Sequence, residues 1–194
     1  MALSQLPMTE LEAVNIMLET IAEPPVSTLS GTVPTEVTIA QSVLSNVNRE
    51  VQSLGWDFNT EDAYPLAPDI NGYITVPDTV MQIDASDGSK LVMRSGKLYN
   101  KTDHTNIFEE AVECDIVWLL AFTDLPQAAK SYVTIRAARL FQRQILGSDT
   151  LDRLSENDEL KALLLMKQAE ADVADYNILN NSSVKRVTDR TYNP

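Results

Sequence analysis

The side chains best suited to metal binding or acid–base chemistry lie between residues 84 and 115 of this 194-residue chain. One group within that stretch consists of His104, Glu109, Glu110, Glu113, Cys114 and Asp115. Such side chains ligate zinc, but their spacing matches no zinc-binding pattern and no paired-histidine motif. The sequence therefore favours a solvated acidic loop here, and we predict no metal and no cofactor.

A second acidic stretch, Asp84-Ala-Ser-Asp-Gly-Ser, begins like a calcium-binding loop. Its glycine falls at the fifth position instead of the sixth, and the closing glutamate is missing. The pattern is instead typical of a hairpin turn at Asp87-Gly88.

Nucleophilic and hydrolytic chemistry has little support in the sequence. His104 is the single histidine, and no Gly-x-Ser-x-Gly elbow accompanies it. Two carboxylates could hydrolyse a glycoside, but the chain has 28 acidic residues and nothing selects a pair among them. We predict no catalytic residue and no enzymatic activity.

Composition limits the remaining function classes. Apolar residues make up 44% of the chain without any run long enough to cross a bilayer, so no membrane anchor is expected. The N-terminus lacks the features of a signal peptide. A single cysteine rules out an intrachain disulfide and favours synthesis in a reducing cytoplasm.

The net charge of −13 is distributed in blocks. Residues 1–48 hold five acids and no base, and residues 57–124 hold thirteen acids against four bases. The sign reverses in residues 125–148, which hold four bases and no acid. Proteins that grip nucleic acid need a basic face to neutralise phosphates. The chain therefore is not expected to bind DNA specifically.

Apolar periodicity predicts two helices in the first part of the chain. Thr9 and Glu12 form a capping box for the first, which Pro24 and Pro25 should end. The second should run from Thr35 to Leu54, before Gly55. Its apolar residues, spaced three and four apart, are Val37, Ala40, Leu44, Val47, Val51 and Leu54.

Two further helices are predicted near the C-terminus. The third opens after Asp124 and ends at Gly147. The fourth spans about 150–179, and its run Leu163-Leu-Leu-Met166 predicts burial by more than one neighbour. The third helix carries a basic stripe, expected to pair with an acidic helix of the same or a neighbouring subunit: Arg136, Arg139 and Arg143.

The middle of the chain is predicted to be β-rich. Hairpin-type turns at Asp87-Gly88 and Ser95-Gly96 separate short strand-like pieces. These pieces are Tyr73–Val76, Val80–Ile83, Lys90–Met93 and Ile116–Leu119. The predicted fold is α+β: four long helices form a bundle from residues 1–55 and 125–180, with a small antiparallel β domain inserted at 56–124. Residues 181–194 should form an extended C-terminal arm.

Two segments resemble the tail tubular protein A family, the adaptors (head-to-tail connectors) of short-tailed podovirus phages. The first joins Ala13-Val-Asn15 to Ile21-Ala-Glu-Pro-Pro-Val-Ser-Thr-Leu29, and the second is Asn48-Arg-Glu-Val-Gln-Ser-Leu-Gly-Trp-Asp-Phe-Asn59. The residues that carry the resemblance best are Glu23, Pro24, Pro25, Val26, Gly55, Trp56, Phe58 and Asn59.

The resemblance implies a structural protein of the virion tail, made in the host bacterial cytoplasm. It implies a ring of twelve copies between the portal protein and the nozzle, a protein of the tail tubular protein B type, with tail fibres or spikes nearby. Genomic DNA would pass through the ring without specific binding. The charge pattern, not the resemblance, adds the hypothesis that Arg136, Arg139 and Arg143 pair with an acidic surface of the next subunit. A C-terminal segment would embrace the portal through Val184, Lys185, Arg186, Val187, Arg190 and Tyr192.

The charge pattern suggests a mechanism for such a ring. An acidic channel wall would repel duplex phosphates, so that DNA slides instead of sticking. Two other classes stay open: a virion-associated carbohydrate or peptidoglycan hydrolase, with two carboxylates of separated acidity, and an acidic binding protein that stays monomeric.

Overall fold

Helices at both ends of the chain flank a block of strands in the computed structural model, which describes residues 7–178. The helices are α1 Glu10–Glu19, α2 Thr35–Gln52, α3 Gln127–Leu146 and α4 Asp149–Ile178. The strands are β1 Thr60–Leu66, β2 Val80–Ala85, β3 Leu91–Arg94, β4 Lys97–Asn100 and β5 Val112–Trp118. Single 3-10 turns occupy Asp57–Asn59 and Phe122–Asp124.

Local signals fix the helix ends. At the start of α1, Glu12 N donates to Thr9 Oγ1 (3.2 Å) and Thr9 N donates to Glu12 Oε2 (2.8 Å), so the predicted capping box is confirmed. At the end of α3, Gly147 has φ +60° and its N–H donates to the carbonyl of Arg143. This left-handed glycine confirms the predicted stop.

The end of α1 differs from the prediction. The helix stops at Glu19, before the prolines, and Ala22 takes a left-handed conformation with φ +60°. Glu23 N then donates to Leu18 O (3.1 Å), and Ala22 N donates to Glu19 O (3.1 Å). These two bonds form a Schellman turn, so the backbone has already left the helix when Pro24 begins.

The chain divides into two compact units. One comprises residues up to Leu44 together with those from Pro126 onward, and the other is Ser45–Leu125. Helix α2 therefore contributes residues to both. The domain limits expected from the sequence, at residues 55/56 and 124/125, stay a prediction.

The predicted bundle of four long helices is wrong; the fold is a mixed α+β fold. α1 has only ten residues, and α3 packs against both α1 and α4. Within residues 7–178, α2 makes no comparably extensive contact with another helix. Periodicity identifies an apolar face but not its partner, and the last turns of α2 belong to the strand-containing unit.

The β region contains two antiparallel sheets, of order β1-β5-β2 and β3-β4. Ser95 (φ +52°) and Gly96 (φ +71°) form the tight turn between β3 and β4, as predicted. The segment predicted as a strand at Tyr73–Val76 has only one isolated bridge, from Thr75 to Lys97. The core of this region includes the buried side chains Ile74, Leu98, Cys114 and Ile116.

Helix α4 buries only one side. Met166 is 2% exposed, whereas Leu164 and Leu165 are 58% and 65% exposed. The expectation that several neighbours bury the Leu163–Met166 run is therefore wrong for the single chain.

Candidate interaction surfaces

Asn15 holds the first resemblance segment in place. Its Nδ2 donates to the carbonyl of Val26 (3.0 Å), and its Oδ1 accepts from the N–H of Val26 (2.8 Å). Both backbone groups of Val26 are thus bonded by one amide on α1. The preceding residues Glu23, Pro24 and Pro25 are exposed. The segment is therefore a surface turn whose shape is set by a side chain eleven residues earlier in the sequence.

The second resemblance segment forms a buried polar junction between the end of α2 and the end of β5. Gln52 is fully buried. Its Nε2 donates to Asn48 Oδ1 (2.9 Å) and to Leu120 O (3.0 Å). Its Oε1 accepts from Leu120 N (2.8 Å). Asn59 Nδ2 donates to Gln52 O (3.0 Å) and Trp118 O (2.7 Å). This polar junction stabilises the chain where helix and strand meet, because its buried amides are hydrogen-bonded.

Gly55, Trp56 and Phe58 complete the turn that closes this polar junction. Trp56 Nε1 donates to Val51 O (2.7 Å), and Trp56 N donates to Asn59 Oδ1 (2.8 Å). Gly55 has φ +70°, and a Cβ there would lie 3.3 Å from Val117 Cγ2. A side chain at residue 55 would be strained. Phe58 is half-buried. The segment thus fixes the course of the backbone between α2 and β1.

Two arginines of the basic stripe pair with α4 of the same chain. Arg139 binds Asp152 through two bonds, Nε–Oδ1 (2.8 Å) and Nη2–Oδ2 (3.1 Å), and its Nη1 binds Glu159 Oε2 (3.1 Å). Arg136 Nη1 binds the other oxygen of Glu159. Bidentate contacts of this kind fix geometry as well as charge. The pairs hold α4 in register along α3.

Hydrogen bonds from Arg139 lower the pKa of Asp152 below its usual value of 3.8, with smaller contributions from the charges of Arg139 and Arg143. The same contact with Asp152 raises the pKa of Arg139. Arg143 is exposed. The stripe is therefore divided between two residues in ion pairs within the chain and one that reaches solvent.

Gln142 links three helices, and sequence reasoning missed it. Its Nε2 donates to the carbonyl of Thr20 at the end of α1 (2.8 Å), and its Oε1 accepts from Ser155 Oγ on α4 (3.2 Å). Periodicity assigns a polar residue on a helix to solvent. The only sequence signal is its position beside the buried Phe141.

An apolar groove of about 710 Å³ lies between α1 and α4, above α3. Ile16 and Thr20 line it from α1, and Ala162 and Leu165 line it from α4. Its remaining lining residues include Gln127, Ala128, Ser131, Ile135 and Ala138 of α3. An apolar groove between helices is one kind of surface at which a helix of another chain can dock.

Large apolar side chains are exposed along α4. They are Leu151, Leu154, Leu160, Leu164, Leu165 and Val173. Single exposed apolar residues are ordinary, whereas several along one helix are a common feature of surfaces that contact another chain. Among residues 7–178, no helix is both long and apolar enough to cross a membrane.

The structure separates the residues that first suggested chemistry. Cys114 lies in the core of the sheet, and burial raises the pKa of its thiol to about 11. The next residue, Asp115, accepts from Ser86 Oγ (2.6 Å) and Ala63 N (2.9 Å), and these bonds lower its pKa. His104 sits in a turn with φ +56°. In the part of the chain that the structure describes, no three such residues group to hold a metal ion.

The segment at Asp87-Gly88 is a β-turn in which Gly88 N donates to Ala85 O (3.1 Å), but it does not close the expected hairpin, because β2 pairs with β5 and β3 pairs with β4. Asp87 Oδ1 accepts from Ser89 N (2.8 Å), and Ser89 Oγ bonds the same oxygen, which lowers the pKa of Asp87. The carboxylate thus stabilises its own turn. The predicted portal-binding residues Val184, Lys185, Arg186, Val187, Arg190 and Tyr192 lie outside the described residues.

The hydrogen-bonded turns of the two resemblance segments and the exposed leucines of α4 are features that suit a structural protein in contact with other chains. Comparison with known proteins gives the family: a family described as tail tubular protein matches residues 11–176. The chain is also 30% identical over 161 residues to tail tubular protein A of Klebsiella phage KP34, a match that covers 81% of this chain and 86% of that protein. The chain belongs to the tail tubular protein family and is a component of the virion tail.

Proposed function

We propose that the chain is the adaptor of the tail: a ring, of twelve copies, that joins the portal to the nozzle and surrounds the channel for DNA. The observation that carries this proposal is the succession of exposed leucines along α4. A single copy leaves them in water, whereas neighbouring copies would cover them. A ring closes when each subunit meets the next through two different surfaces related by a suitable rotation.

The basic stripe contributes to this ring in two ways. Arg136 and Arg139 act indirectly, because their ion pairs with Asp152 and Glu159 hold α4 in the position from which it contacts a neighbour. Arg143 is exposed and contacts the next subunit directly. Ion pairs between subunits would weaken as salt rises, because dissolved ions screen exposed charges from each other. At physiological ionic strength the screening length is about 8 Å.

The excess of acidic residues would keep DNA from binding to the wall of the channel. With a net charge of −13, the chain repels phosphates wherever its acidic surface lines the passage. DNA then slides past without being held. Tail fibres or spikes dock near the junction with the nozzle protein.

Native mass spectrometry over a range of ionic strength and protein concentration, with and without the portal, tests the ring. We expect closed oligomers that dissociate as salt rises. A chain that stays monomeric at every salt and concentration, even with portal present, contradicts the adaptor role.

Deletion of residues 181–194 tests the arm. We expect loss of portal binding, while the helices and strands of residues 7–178 keep their circular dichroism signal. The control removes residues 1–6 from the other end and should keep portal binding. Portal binding that survives deletion of 181–194 rules out the arm.

A further inference from the structure

Helix α4 has a second apolar surface on the side away from the groove. Leu160 and Leu164 are exposed there, 54% and 58%. Arg153 and Lys167 extend the same face, since the four residues are spaced seven, four and three apart and a helix turns 100° per residue. We name this face, Arg153, Leu160, Leu164 and Lys167, the outer stripe. It combines an apolar centre with basic ends.

The groove has the opposite electrostatic character along its α1 wall. Ile16 is exposed at the centre of that wall, with Glu12 four residues before it and Glu19 three residues after it. All three lie on one face of α1. No Lys or Arg occurs in residues 1–48, so nothing in that segment neutralises the wall. The groove is also lined by three charged residues, Arg139, Asp158 and Lys161. Lys161 pairs with Asp158, and Arg139 pairs with acids of α4, so Glu12 and Glu19 beside the α1 wall form the acidic edge of the groove.

We propose that the outer stripe of one copy docks in the groove of the next copy. This inference rests on the proposed ring and names the two surfaces that form it. Leu160 and Leu164 fill the apolar groove, while Lys167 lies against the acidic edge formed by Glu12 and Glu19. Opposite charges at the edge set the register and direction of docking.

The geometry of α4 excludes docking of the stripe within one chain. Ala162 and Leu165 of α4 form one wall of the groove, whereas Leu160 and Leu164 lie on the other side of the same helix. A chain cannot place its own stripe in its own groove. Each copy thus gives a stripe to one neighbour and a groove to the other, which is the head-to-tail arrangement that builds rings.

Disulfide trapping in assembled virion tails tests the contact. The double variant Ile16→Cys/Leu164→Cys places thiols on opposite sides of the proposed contact. Cys114 stays unreactive because it is buried and its pKa is about 11. After mild oxidation, we expect a ladder of dimers, trimers and larger species on a non-reducing gel. Each single variant should give dimers at most.

The matched control pairs Ile16→Cys with Met93→Cys, an exposed position on β3. It should give no ladder. An equal ladder from this control would overturn the proposal, because cross-linking would then be independent of the groove.

Charge reversal provides a second test in solution or in tails. Lys167→Glu places an acid against the acidic edge and should lower the association constant about tenfold. Adding Glu19→Lys restores opposite charges and should recover most of the loss. A double variant as weak as the single one contradicts the pairing.

The outcomes separate this contact from the ring itself. Tails that contain a ring of this chain but give no ladder from Ile16→Cys/Leu164→Cys overturn the docking of stripe in groove and leave the adaptor role standing. Absence of any oligomer of the wild-type chain, in tails and in solution, overturns both.

Discussion

The polar junction buries polar side chains, whereas helix α4 exposes apolar ones. In the polar junction, the amides of Asn48, Gln52 and Asn59 are buried and hydrogen-bonded to one another or to backbone groups at the end of β5. On α4, leucines that could be buried lie in water instead. The first arrangement stabilises one chain, and in the proposed ring the second provides contacts with another chain.

The comparison shows that resemblance between family members can have two physical causes. The segment from Asn48 to Asn59 is recognisable because its side chains and its turn determine one local structure. An assembly surface needs only apolar residues at the right spacing, so many sequences satisfy it. Variants in the two regions should therefore change different measurements.

The largest loss of stability is expected from Gln52→Ala. It removes three hydrogen bonds and leaves both backbone groups of Leu120 without this partner, so the free energy of unfolding should fall by about 3 kcal/mol. Urea unfolding followed by circular dichroism measures it. Ser45→Ala, on an exposed position of the same helix, is the control and should change it by less than about 0.5 kcal/mol. Equal effects would show that the polar junction does not stabilise the fold.

A matched pair on α4 sharpens the comparison. Met166→Ala empties a buried position and should cost about 2 kcal/mol in the monomer. Leu164→Ala, two residues earlier and exposed, should leave the urea midpoint of the monomer unchanged while weakening its oligomers. If Leu164→Ala destabilises the monomer as much as Met166→Ala does, this face of α4 belongs to the core.

A smaller effect is expected at the surface turn. Asn15→Ala removes both bonds to Val26 and should lower the free energy of unfolding by about 1.5 kcal/mol. Asn15→Asp keeps the acceptor for the Val26 N–H but not the donor, so its loss should be intermediate. The same unfolding measurement ranks the three proteins, and Asn15→Asp as unstable as Asn15→Ala would contradict a role for the acceptor.

The smallest predicted effect depends on pH. Because the pKa of Asp152 is lowered in the folded chain, its contact with Arg139 stabilises the fold above about pH 4 and is lost as pH falls through the lowered pKa. Arg139→Met should therefore destabilise the protein at pH 7 and lose that effect as the solution is acidified. Thermal unfolding of both proteins at a series of pH values from 7 downward measures the difference, and a loss that stays the same at every pH would contradict a role for the charge at residue 139.

Helix positions followed from the sequence because their signals are local. The Thr9–Glu12 capping box and the left-handed Gly147 each involve residues within one turn. Strand β1 was not predicted, since Thr60–Leu66 is largely polar and contains Pro65. Pro65 is tolerated within a strand because β1 lies at the edge of its sheet.

The interaction surfaces could be predicted only in part. The basic stripe was visible in the spacing of Arg136, Arg139 and Arg143, but its partners Asp152 and Glu159 depend on how α3 meets α4. Burial of the Leu163–Met166 run was overestimated because an apolar residue gives no indication of which chain will cover it. The groove is lined by residues of three helices. No local sequence pattern shows which helices will pack together.

The burial of Cys114 has a consequence for the life of the particle. A thiol with a pKa of about 11 is almost entirely protonated at neutral pH, and its place in the sheet excludes oxidants from the sulfur. A virion leaves a reducing cell and persists in aerated surroundings, where accessible thiols form sulfenic acids or unwanted disulfides. Since Cys114 is the only cysteine of the chain, its burial leaves every copy in the tail resistant to cysteine oxidation during that time.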